Sequence, residues 1–353
     1  MVTFIVLAVA SLIAAGGLVD FRSSFVLRVL NLGLPLPRHR AALAAMCSVP
    51  AEMPTELAAP FPIHMTTWGS TGPTVLLIHG GVQGGLGGGP ATFREQEALA
   101  QRGLQLRVAD RPGFGQTPTR GPDDIEADAV WASAELGDGA HLIGHSFGGA
   151  VALLAAARRP SAVRSLILIE PALIPLLPGS RAMRANRVAR SDFLRMGEAW
   201  LSAQTPAEYG LTLARDLGVL SRGTSDGKVR GLDQQSAYEL GCALLRARLA
   251  SAGAMRKAAH AVAKAGIPVL IVSGGWSPTF DALGEVSAEI TGGRHVTVQS
   301  PNHFVQLIAS EAFNETAANF IQMAEHADVG PRATPWKAAN CASTASRDSL
   351  VDI

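Results

Sequence analysis

The chain has 353 residues, 48% apolar and 17% charged, which is enough for a large buried core and unlike a disordered chain. Its formal net charge of +1 gives no global electrostatic case for nucleic acid or an acidic partner. Cys47, Cys242 and Cys341 are far apart and lack CxxC spacing, which argues against a disulfide framework and a zinc site and predicts unpaired thiols.

In chain order, an uncharged apolar run from Val2 to Val19 comes first, at the lower length limit for a membrane-spanning helix. No Lys or Arg precedes it, which disfavours a cleaved signal peptide. Arg22, Arg28, Arg38 and Arg40 follow, opposed by Asp20, and the positive-inside rule then puts the folded domain in the cytoplasm. Export after signal cleavage is the alternative. Residues 1–22 are thus read as an anchor or signal segment with membrane contact through residues 2–19. Residues 23–60, irregular and rich in proline from Leu34 onward, read as a tether.

Short runs rich in Val, Ile and Leu then suit buried parallel strands: Thr74 to Ile78, Leu104 to Ala109, His141 to Ile143, Val163 to Ile169, Ile267 to Val272 and Arg294 to Val298. Helical stretches such as Gly149 to Arg158 and Ala282 to Ile290 alternate with them. That alternation predicts an α/β fold with a doubly wound, mostly parallel sheet. From residue 175 to 265 no convincing strand occurs, so this segment reads as a helical cap inserted between two core strands. The core is then residues 61–174 and 266–325, and the polar, small-residue-rich stretch 326–353 reads as a disordered tail.

Three motifs carry chemistry. Gly144-His145-Ser146-Phe147-Gly148 fits G-x-S-x-G between a strand and a helix, the tight turn that holds a nucleophilic serine out at the sheet's edge. His79-Gly80-Gly81 follows the strand Thr74 to Ile78, where a loop can donate a backbone N–H to an oxyanion. Gly81 and Phe147, the residue after the serine, are the predicted donors. A phosphate-cradling loop is excluded because no Gly-Lys-Ser/Thr ending is present. A serine needs a base, expected C-terminal to it. Of the downstream histidines His260, His295, His303 and His326, only His303 lies in a loop between a strand and a helix.

These motifs, with the turn Asp110-Arg111-Pro112-Gly113-Phe114-Gly115, resemble the α/β-hydrolase superfamily over roughly residues 61 to 325. The resemblance implies an eight-stranded core sheet under a helical cap and esterase- or lipase-like chemistry without metal or cofactor. Its branches with an aspartate nucleophile are disfavoured because position 146 is Ser.

One position departs from the superfamily pattern. The acid is usual in a Gly-x-x-Asp turn after the strand ending near Val272, and here Gly274-Gly275-Trp276-Ser277 puts Ser277 there. Glu170, ending the strand Val163 to Ile169 where one branch carries its acid, is preferred as the third member, with Asp281 as the alternative. The resulting expectation is a hydrolase cleaving a small acyl ester through Ser146. An acyltransferase using the same residues and a catalytically silent binding protein on the same fold are the alternatives; oligomeric state stays open.

Overall fold

The computed structural model describes residues 37–47, 61–85, 87–219 and 232–327. The apolar runs form strands β1 (Met65–Trp68), β2 (Thr74–Ile78), β3 (Gln105–Ala109), β4 (Ala140–His145), β5 (Val163–Ile169), β6 (Val269–Ser273) and β7 (Arg294–Thr297). They lie in one sheet in the order β1-β3-β2-β4-β5-β6-β7. β1 runs antiparallel to β3, with Met65 opposite Ala109, and the other neighbours are parallel. Seven strands are found among the described residues, where eight were expected. The approach to β1 adds no ladder: Pro62 lacks an N–H, and the His64 N–H goes to Thr117 Oγ1 at 2.9 Å.

Both faces of the sheet are covered. Along β2, Leu76 and Ile78 join one apolar cluster and Val75 and Leu77 the other, as the two-residue period of a strand requires. The first face packs on α2 (Ile125–Ala134), α3 (Phe147–Arg158), α8 (Ala252–Lys264) and α9 (Pro278–Thr291), the second on α10 (Ser310–Ala327) and the 3-10 segment Arg94–Arg102. β5 is apolar nearly throughout for this reason. α3 buries every residue from Phe147 to Ala156, as a helix walled in on all sides must.

Between β5 and α8 lie α4 (Arg181–Ala185), α5 (Arg187–Ser202), α6 (Pro206–Asp216) and α7 (Gln234–Arg246). Their starts are set by side chains that accept a first-turn N–H: Ser180, Asn186, Thr205 and Asp233. The segment expected to be entirely cap ends in α8, whose Met255, Ala258, Ala259 and Val262 join the core under the sheet. α8 is therefore the crossover helix that brings the chain back to β6.

Two expectations for the N-terminal part are corrected. Within the supposed tether, Pro37–Ala44 forms a helix, α1, packed on the cap. Its Leu43 enters a small separate core with Trp200, Tyr209 and Leu245, while Arg40 donates to the carbonyls of Leu244, Leu245 and Ala247 at the end of α7. Those carbonyls have no partner within the helix, so a cation is well placed there. The second correction is that Cys47 and Cys242 form a disulfide across 195 residues. Only the docking of α1 brings the two together, which spacing along the chain could not reveal. Among the described residues no helix is long and apolar enough to cross a membrane. The anchor expected over 2–19 lies outside them, as does the tail expected over 326–353 apart from residues 326 and 327, which end α10.

Candidate active site

β2 and β4 are neighbours, although the chain between them builds β3 on the far side. The strand order reverses here, and at such a switch point the loops leaving the two strands diverge and open a crevice at their carboxyl ends. The loop after β2 carries His79, Gly80 and Gly81, and the turn after β4 carries Ser146.

Ser146 has φ 54° and ψ −120°, a strained conformation for a residue with a Cβ. The turn stays this tight because Gly144 and Gly148 have no side chain. A Cβ on Gly144 would lie 2.5 Å from the Gly148 carbonyl oxygen, and one on Gly148 would lie 2.2 Å from the Ile78 carbonyl oxygen. Backbone bonds from Ser146 N–H to Ile169 O and from the Ala172 N–H to Ser146 O, at 2.9 and 2.8 Å, fasten the turn to the end of β5.

Glu170 sits at that same strand end, also with positive φ, 38°. Its carboxylate is 1% exposed and fully engaged. Oε2 lies 2.6 Å from His303 Nδ1, and Oε1 accepts from the Gly274 N–H and the Trp276 indole N–H, both at 2.8 Å. With Nδ1 committed to Glu170, Nε2 is the ring nitrogen left for a reacting group, and it is buried with no protein partner. The ring is wedged against Phe280 and His145, with centroids 4.8 Å away in each case. The His303 loop is held from two sides: His145 Nε2–H donates to the His303 carbonyl at 3.1 Å, and the His303 N–H donates to Leu217 O of the cap, also at 3.1 Å. Burial keeps the His145 imidazole well below its usual pKa, so it acts as a neutral strut.

Asp281, the alternative acid, is placed elsewhere. Its Oδ1 accepts from Ser273 Oγ at 2.6 Å and from the Gly275 N–H at 3.2 Å, and the Ser273 hydroxyl also meets His295 Nε2 at 2.8 Å. Asp281 shapes the turn whose next-door groups hold Glu170, without reaching His303. Position 277 is closed to an acid for a local reason. Ser277 is 2% exposed, starts α9, and donates to Asp192 Oδ2 of the cap at 3.3 Å. A carboxylate there would be buried beside another carboxylate.

The five residues expected from sequence thus cluster at one sheet edge: Ser146 and Phe147 after β4, Gly81 after β2, Glu170 after β5 and His303 after β7. Sequence reading missed Trp276 and His145. Both lie within quoted motifs, but their roles depend on partners more than 100 residues away, Glu170 and His303 respectively.

A family model for the alpha/beta hydrolase fold matches residues 73–310. A pimeloyl-acyl-carrier-protein methyl ester esterase of Neisseria meningitidis is 31% identical over 231 residues, 62% of this chain and 83% of that protein. Lipase LipV of Mycobacterium tuberculosis is 36% identical over 154 residues, 41% of this chain, and the match spans only 55% of LipV's own length. Among solved structures, a membrane phospholipase A described as a bacterial virulence factor superposes with a TM-score of 0.52 at 21% identity, covering 92% of this chain and 99% of the other, a likeness of fold.

Proposed function

The chain belongs to the α/β-hydrolase family, and on that footing we propose that it hydrolyses the ester bond of a small acyl substrate through an acyl-enzyme on Ser146. The observation that carries this reading is the contact of 2.6 Å between Glu170 Oε2 and His303 Nδ1 at the sheet edge that holds Ser146. A carboxylate on Nδ1 fixes the tautomer in which Nε2 can take the serine proton, and it stabilises the imidazolium that results. Ser146 Oγ attacks the acyl carbon, and its proton passes to His303 Nε2. The tetrahedral oxyanion is met by the N–H groups of Gly81 and Phe147, the second at the N-terminus of α3, where the helix dipole favours negative charge. His303 then protonates the departing alkoxide. Water, deprotonated by the same nitrogen, releases the acid and restores Ser146.

The esterase and lipase relatives support ester hydrolysis as the reaction class. The test is a panel of chromogenic acyl esters of graded chain length, with a fluorophosphonate probe mapped by mass spectrometry. We expect turnover of at least one ester and a single labelled residue, Ser146. A folded protein that turns over none and leaves Ser146 unmodified would refute the reading.

For location, the Cys47–Cys242 bond supports a catalytic domain on the exported side, the alternative to the cytoplasmic placement that the flanking arginines suggest. Cytosolic thiols are kept reduced, whereas disulfides persist in oxidising compartments. Alkylation of the denatured native protein is expected to modify one cysteine before reduction and all three after it. Three free thiols in freshly isolated protein would return the domain to the cytoplasmic side.

A further inference from the structure

The two N–H groups assigned to the oxyanion come from different loops, Gly81 after β2 and Phe147 after β4. An oxyanion hole works only if its donors are already in place when charge develops, so something must hold these loops in register.

Arg111, in the loop after β3, touches both. Its Nη1 donates to the Gly81 carbonyl at 2.9 Å and lies 3.5 Å from the Gly80 carbonyl, and its Cζ sits 4.1 Å above the centre of the Phe147 ring. The backbone N–H of Arg111 donates to His79 Nε2 at 3.0 Å. That nitrogen must then be an acceptor, so the proton of the neutral ring is on Nδ1, which donates to the Gly80 carbonyl at 2.8 Å. Burial lowers the His79 pKa to about 3, so this tautomer persists over the working pH range. The Gly80 carbonyl and the Gly81 N–H belong to one planar trans peptide and point in opposite directions. Holding the oxygen aims the N–H, and the bond to the oxygen polarises the amide toward stronger donation.

Arg111 is 0% exposed, and two buried carboxylates compensate its charge: Asp123 Oδ1 at 2.5 Å from Nη2 and Asp128 Oδ2 at 2.9 Å from Nε. A buried ion pair is a poor way to add stability, since apolar residues of similar volume often do as well. Its presence against both donor loops calls for a different reason.

We propose that Arg111 is the positioning residue of the oxyanion hole: one guanidinium spans the Gly81 and Phe147 loops, and His79 relays its hold to the Gly80–Gly81 peptide. This rests on the reading of Ser146 as nucleophile and of the two N–H groups as oxyanion donors.

The experiment uses the full-length protein and the variants Arg111→Lys, which keeps the charge but loses the planar fork, and Phe147→Leu, which keeps the N–H but loses the ring. Competent sites are counted by end-point fluorophosphonate titration. The readouts are kcat per titrated site, KM, and inhibition by a trifluoromethyl ketone, whose serine adduct carries a tetrahedral oxyanion. For Arg111→Lys we expect kcat per site to fall about 100-fold, with the ketone weakened by a similar factor. KM should stay within about 3-fold of wild type. Phe147→Leu should move kcat and ketone binding the same way by about 10-fold. Wild-type kcat per site in Arg111→Lys, with only a lower Tm, would overturn the proposal and leave Arg111 a structural residue. If Arg111→Lys does not fold, wild-type kcat and ketone binding in Phe147→Leu overturn it instead. A wild-type protein that resists the fluorophosphonate defeats the serine reading itself and the proposal with it, an outcome recognisable before any variant is made.

Discussion

Ser146→Ala is expected to lower turnover by a factor on the order of a million, the scale seen when a serine hydrolase loses its nucleophile. The loss is this large because no acyl-enzyme can form and His303 has no serine proton to take. The catalysis that remains comes from binding and the oxyanion donors alone. The substitution removes one oxygen atom from a half-buried side chain whose backbone is held by Ile169 and Ala172, so the fold should be unchanged. kcat on the preferred ester and Tm are to be measured on the same preparation. A variant with wild-type Tm and more than about a tenth of wild-type turnover would remove Ser146 from the mechanism.

Glu170→Gln is expected to cost about 10⁴ in kcat, because it changes the tautomer of His303. Oε1 of Glu170 already accepts from the Gly274 N–H and the Trp276 indole. In the glutamine variant those two donors select the amide oxygen for that position. The NH2 group then faces His303 Nδ1 and donates to it, so the ring proton moves to Nε2. In that form His303 cannot accept the serine proton. Trp276→Phe, which removes one of the two donors, should allow the carboxylate to wander and reduce kcat by about ten-fold. Asp281→Asn should lower stability through its bonds to Ser273 and Gly275 while staying within about ten-fold of wild-type kcat, because Asp281 does not touch His303. A large loss in Asp281→Asn with Glu170→Gln near wild type would reverse the order of the two carboxylates.

Much of this architecture was legible because the signals are local. Buried parallel strands must be apolar on both faces, so β2, β4, β5 and β6 stand out as Val-, Ile- and Leu-rich runs, and their alternation with helices specifies the α/β class. The serine turn is legible because its motif is contiguous in the chain, and Gly144 answers a contact with Gly148 only four residues on. His303 is legible by position, in a loop between the last strand and a helix.

What failed to show in the sequence was non-local. The Cys47–Cys242 pair exists only because α1 docks on the cap, so three scattered cysteines read as free thiols. The last helix of the expected cap, α8, turned out to cover the sheet, since its apolar face does not say which surface it meets. Position at a strand end already favoured Glu170 over Asp281, but only the sheet order shows that this end reaches His303. β5 lies between β4 and β6, so the end that carries Glu170 opens beside the serine turn and beneath the Gly274–Trp276 turn at once. The sequence by itself thus determined the class of fold and the residues with chemical capacity, because propensity, periodicity and turn geometry are properties of neighbours in the chain. Only the tertiary structure decided the pairings of Glu170 with His303, Arg111 with Gly81 and Phe147, and Cys47 with Cys242. Those contacts act across folded distances of a few ångströms between residues with no fixed separation along the chain.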